Sequence, residues 1–194
     1  MKTIEVKIFE FSELSPEAQQ KAIKNEMKYW YENLTLDTFN DDATEQIKDA
    51  GFINPVLSYS LSCSQGDGLS FKADKYGKLV DLFIQVLGPG KERTAKLLAD
   101  SCAQVFKGNT GHYSYAQKNQ VDLYLDECTN VTDTKNIDEC IAEVLTLLED
   151  IYMNLCKKLE DQGYREIEYL TSEECARENL ECNNFEFTED GKIY

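Results

Sequence analysis

The sequence predicts an α+β fold, a mostly antiparallel sheet of two hairpins plus an N-terminal strand, packed by about six helices. Two observations predict it. Short β-forming runs occur as neighbouring pairs joined by turn residues, and between the pairs apolar residues recur at spacings of three and four. Strands that follow one another through a tight turn pair antiparallel, and helices with one apolar stripe then cover the sheet. A chain of 194 residues with 42% hydrophobic residues can bury a real core, and 1–194 is read as one domain whose helical part from about 134 onward is highly acidic.

Thr3 to Phe11 sets Ile4, Val6 and Ile8 against Glu5 and Lys7, the period-2 pattern of a strand with one buried face. A helix starts at Ser15-Pro16, with serine as cap and proline in the first turn. Ala18, Ala22, Ile23, Met27 and Trp30 form its stripe. A second helix covers Asp37 to Ala50, with Phe39, Ala43, Ile47 and Ala50 inward and Gly51 ending it. Pro55 to Cys63 and Leu69 to Ala73 read as a hairpin around Ser64-Gln65-Gly66-Asp67-Gly68. Tyr76 to Leu87 reads as a helix stopped by Gly88-Pro89-Gly90, and Lys91 to Phe106 as another, with Leu97, Leu98, Cys102 and Val105 inward. Gly111 to Ala116 and Val121 to Leu125 read as a second hairpin. Ile137 to about Asp161 is the longest amphipathic helix. Thr171-Ser172-Glu173-Glu174 is a capping box opening one more. Phe185 to Tyr194 closes with Asp190-Gly191, the turn of a small hairpin.

Charge is the strongest compositional signal. The net charge is −16, and it is uneven. Residues 75–118 hold three acids and seven bases, whereas residues 119–194 hold twenty acids and six bases. Such a field repels phosphate backbones and attracts basic surfaces, so direct nucleic-acid binding is disfavoured and a basic protein partner is expected. The plainer reading, that acidic helices keep a protein dissolved, fits the same numbers. Within the acidic region Glu173, Glu174, Glu178, Glu181, Glu189 and Asp190 are the expected partner-binding residues. Glu174, Glu178 and Glu181 fall at i, i+4 and i+7, one helical face, where like charges oppose one another until a basic partner relieves them.

Catalytic constellations are sparse. Ser64-Gln65-Gly66-Asp67-Gly68 lacks the Lys-Ser/Thr of a phosphate loop and the spaced carboxylates of a calcium loop, so a tight turn explains both glycines. The alternative is a functional loop that presents Gln65 and Asp67, joined by His112 and Tyr113 from the second hairpin, as a nuclease or nucleotide-modifying enzyme would need. No catalytic residue, cofactor or metal ligand set is assigned. Seven cysteines without a Cys-x-x-Cys pair, and a single histidine, fit reduced and mostly buried thiols, with Cys175 and Cys182 facing the core. No stretch reaches the ~20 apolar residues of a membrane span. The charged N-terminus is unlike a signal peptide, so a cytoplasmic protein is expected.

Three stretches together resemble a widespread group of small phage and prophage proteins: Phe9-Glu10-Phe11-Ser12-Glu13-Leu14-Ser15-Pro16-Glu17-Ala18, Ser64-Gln65-Gly66-Asp67-Gly68-Leu69-Ser70-Phe71, and Glu168-Tyr169-Leu170-Thr171-Ser172-Glu173-Glu174 with Asn184 to Gly191 after it. Gly111-His112-Tyr113 also looks like that group. The resemblance implies a mobile-element origin and a host bacterial cytoplasm. By analogy it implies an inhibitor of a host nucleic-acid-handling defence, anti-CRISPR-like, that sets acidic surface into a basic groove of an effector such as a CRISPR nuclease. An antitoxin-type module neutralising a basic toxin is the other binding reading.

Overall fold

The computed structural model describes residues 6–62, 64, 66–108, 120–125 and 136–194. Over these it is an α+β protein with six α-helices, one two-stranded and one four-stranded antiparallel sheet. The chain divides into two compact units, Met1–Leu36 with Tyr164–Tyr194, and Asp37–Gly163.

The Asp37–Gly163 unit is built on the four-stranded sheet. Helix α2 (Asp37–Ala50) buries Phe39, Ala43 and Ile47, and Gly51 turns the chain out of it at φ +113°, a conformation that favours glycine. Strands β1 (Phe52–Ile53) and β4 (Lys75–Tyr76) form the small sheet. Strands β2 (Val56–Ser60) and β3 (Gly68–Ala73) form the expected hairpin, in register from Val56↔Lys72 to Ser60↔Gly68. Helices α3 (Leu79–Leu87) and α4 (Glu92–Ser101) follow, separated at Gly88, which ends α3 with φ +84°. Strand β5 (Cys102–Lys107) pairs with β3 on one side and with β6 (Val121–Leu125) on the other. Helix α5 (Ile137–Leu170) supplies Val144, Leu148, Tyr152, Cys156 and Leu159 to the core. Around Tyr152 the rings of Phe52, Phe71 and Phe106 lie at centroid distances of 6.4, 4.6 and 6.2 Å, edge-on, tilted and stacked respectively, within the range over which aromatic pairs attract.

The Met1–Leu36 and Tyr164–Tyr194 unit is helical. Helix α1 (Pro16–Glu32) starts where its sequence says: the Ser15 hydroxyl accepts from the Ala18 amide, and proline fills the first position. Helix α6 (Glu173–Cys182) is capped by Ser172, whose hydroxyl accepts from the Cys175 amide. Their apolar stripes meet in a core of Phe11, Leu14, Ala18, Ala22, Ile23, Ala176, Leu180 and Phe187. Phe187 bridges Phe9 and Ile193, and the Thr188–Lys192 turn between the last two closes through the amide of Gly191 on the Thr188 carbonyl.

Several sequence expectations change. Over residues 6–11 the N-terminal segment is not a strand; Phe9 makes one bridge, then Phe11–Glu13 forms a 3-10 turn. Val6 and Ile8, expected inward, are exposed, while Phe11 is buried from the 3-10 turn. The Lys91 to Phe106 helix ends at Ser101, and its last turn is strand β5 instead. β5 pairs with Val121–Leu125; residues 111–116, expected to form a hairpin with that strand, lie outside the described residues. Helix α5 runs on to Leu170 through Gly163 because that glycine is a packing position: a Cβ there would overlap Leu61 Cδ1 and sit 3.1 Å from Phe39 Cζ. The cap of α6 is Ser172 rather than Thr171, which puts Cys175 at the third position and leaves no capping box there. Cys182 is exposed and Cys175 half-buried; the buried positions of α6 are Ala176 and Leu180.

Candidate functional site

The six acidic residues expected to bind a partner all reach solvent, but they are not equivalent. Asp190 accepts from Lys21 Nζ at 2.8 Å and from the Thr188 hydroxyl at 2.7 Å, and Lys192 lies 3.6 Å away. Those contacts, Lys21 first, hold its carboxyl well below the usual range. Its charge is used inside the fold. Glu173 pairs with Arg177 at 3.6 Å, and the Glu178 carboxylate accepts from the Tyr169 hydroxyl at 2.8 Å. That hydrogen bond, reinforced by the Glu178 charge, pushes the Tyr169 phenol up to about 12. Among the described residues Glu174, Glu181 and Glu189 make no side-chain hydrogen bond or ion pair.

The stripe on α6 is one part of a wider negative surface. The half-buried Cys175 thiol is raised first by burial and then by the charges of Glu178, Glu166 and Glu26, so carboxylates from α5 and α1 add to the field of α6. A groove of about 670 Å³ lies beside it, lined by residues 8–13, by Leu180 and Glu181 of α6, and by 184–186. Four glutamates line it, Glu10, Glu13, Glu181 and Glu186, and among the described residues no basic side chain does. The Glu13 carboxylate also accepts from the Glu10 amide at 2.9 Å, which fixes the wall of the groove. Sequence spacing grouped Glu181 with Glu174 and Glu178; the fold additionally brings it to Glu10 and Glu13, more than a hundred and sixty positions away.

The glycine-rich hairpin loop is tied up by its own serines. Asp67 Oδ1 accepts from the hydroxyls of Ser60, Ser62 and Ser64 at 2.9, 3.1 and 2.8 Å, and Oδ2 accepts from the Ser64 amide at 2.9 Å. A carboxylate with this many donors organises a turn, and Gly66 at φ +100° supplies the left-handed residue. Gln65, His112 and Tyr113 lie outside the described residues. Among the described residues no group of three His, Cys, Asp or Glu side chains is arranged to hold a metal, and no helix is long and apolar enough to cross a membrane. Burial pushes the Cys102 thiol up to about 11 and the Cys156 thiol up to about 12, the opposite of what a nucleophilic thiolate needs.

Fold and site define an α+β protein that presents an acidic helical surface with an acidic groove. In comparison with known proteins, no family model, curated protein or solved structure matches the chain.

Proposed function

We propose that this chain is a binding protein for a basic partner, engaged through the acidic surface of α6, the end of α5 and the groove beside them. The observation that carries the reading is the groove walled by Glu10, Glu13, Glu181 and Glu186, with no basic side chain among the described residues that line it. Complementary fields of this kind raise association rates and select partners more than they add raw affinity. A surface that repels phosphate suits a protein cleft built to hold phosphate. The phage-like stretches of the sequence extend the reading to inhibition of a host nucleic-acid-handling defence, a CRISPR nuclease being the leading target.

The test is charge reversal at residues that the fold does not need. Glu174→Lys, Glu181→Lys and Glu186→Lys together remove three negative charges and add three positive ones. All three sites are exposed, and no side-chain bond is lost. Affinity for a basic partner captured from host lysate is expected to fall by about a hundredfold or more, with the unfolding midpoint nearly unchanged. Added nucleic acid is expected to displace the wild-type protein from that partner. Undiminished capture by the triple variant would end the acidic-surface reading.

A further inference from the structure

A second groove in the same unit is built differently. It encloses about 480 Å³ between α1 and the C-terminal segment, with Ala22, Phe185 and Ile193 on its apolar walls and Tyr29 and Trp30 as its rings. Glu26 lines it and is only 7% exposed. A carboxylate removed from water this far is costly unless it is paired. Here both of its hydrogen bonds fall on one oxygen: Trp30 Nε1 donates to Oε1 at 2.9 Å, and the Asn179 amide donates to the same atom. Asn179 is itself oriented by the Asn183 amide, which donates to its Oδ1. Among the described residues Oε2 accepts no hydrogen bond and is not fully buried, and its residue lines the groove. Among the described residues no lysine or arginine pairs with Glu26. Lys192, the one base on the lining among the described residues, lies 3.6 Å from Asp190 instead.

A buried carboxylate with one oxygen fixed from behind and the other free, beside two aromatic rings, lacks a cation. Guanidinium fits it best. Its planar fork donates to a carboxylate and stacks on an aromatic face, while its methylene stem packs on apolar walls. We propose that this groove takes an arginine side chain of the basic partner, with Glu26 Oε2 as acceptor and Trp30 and Tyr29 as the stacking rings. The inference rests on the basic-partner reading and names the anchor residue that the partner must carry.

Trp30 is the only tryptophan, so its indole N–H gives one NMR cross-peak, and that proton sits on Glu26. The probe is an N-acetylated, C-amidated Gly-Gly-Arg-Gly-Gly peptide, with its citrulline counterpart as the neutral isostere. The arginine peptide is expected to move the indole cross-peak saturably, and the citrulline peptide to bind at least about tenfold more weakly. Glu26→Gln keeps an Oε1 acceptor for Trp30 and Asn179, so the fold persists while the charge is lost; its affinity for the arginine peptide is expected to fall by a similar factor. Equal binding of the two peptides, an unmoved cross-peak, or full affinity in Glu26→Gln would overturn the assignment. The Glu174, Glu181, Glu186 variant separates the two proposals. If it loses the partner yet titrates with the peptide as wild type does, both stand. If it keeps the partner while Glu26→Gln loses the peptide, only the groove stands.

Discussion

Tyr152→Ala is expected to destabilise the protein by about 3–5 kcal/mol, seen as a large drop in the urea midpoint. The side chain is fully buried and touches three other rings, so truncation leaves a cavity that the surrounding aromatics cannot collapse into. Its hydroxyl adds a second cost. Among the described residues β5 pairs with β3 only at Lys72↔Lys107 and Ala73↔Phe106, and one residue earlier in β3 the Tyr152 hydroxyl takes both the amide and the carbonyl of Phe71. It accepts from the Phe71 amide at 3.3 Å and donates to the Phe71 carbonyl at 2.9 Å. It therefore stands in for the missing length of β5. Burial drives its phenol pKa far up, which keeps the donor proton in place. Tyr152→Phe isolates this term, with an expected loss of about 1–3 kcal/mol for two buried backbone groups left unpaired. A phenylalanine variant as stable as wild type would show that water replaces the hydroxyl.

Gly191→Ala is expected to cost about 3 kcal/mol or more, from strain at positive φ added to overpacking. Gly191 sits at φ +76°, and a Cβ there would overlap the Ala18 carbonyl oxygen and lie 3.0 Å from the Ala18 carbonyl carbon. Those are backbone atoms of α1, so no side-chain rotation relieves the clash. The turn and α1 would have to separate, opening the core around Phe187. Trp30, on the same helix, reports the change in fluorescence, and an unaltered unfolding midpoint would refute the packing described.

Much of the helical architecture was legible because its signals are local. Ser15-Pro16 and the stripe of Asp37–Ala50 act within a few residues, and both helices begin where those residues place them. β5 was not legible, since Leu97, Leu98, Cys102 and Val105 happen to continue a helical spacing. What makes Cys102–Lys107 a strand is its pairing on both edges, a long-range fact; Val105-Phe106 before Gly108 was the local clue. The end of α5 was not legible either: the apolar spacing runs out near Asp161, and the fit of Gly163 against Phe39 and Leu61 is a long-range fact. At the candidate site, the density of glutamate marked α6 correctly as exposed acid. The groove partners Glu10 and Glu13, and the buried Glu26, needed the fold. Glu26 lies in an ordinary amphipathic helix, and only the return of Asn179 and Ile193 to its side makes it a site.

The central claim is that charge, presented by the α6 surface and its groove, drives association with a basic partner. The most direct measurement is the affinity for that partner between low ionic strength and about 1 M salt, where the screening length shrinks to about 3 Å. A steep, continuous loss of affinity, carried mainly by slower association, is expected, with a much shallower loss in the Glu174, Glu181, Glu186 variant. Affinity that stays level across the whole range would contradict it.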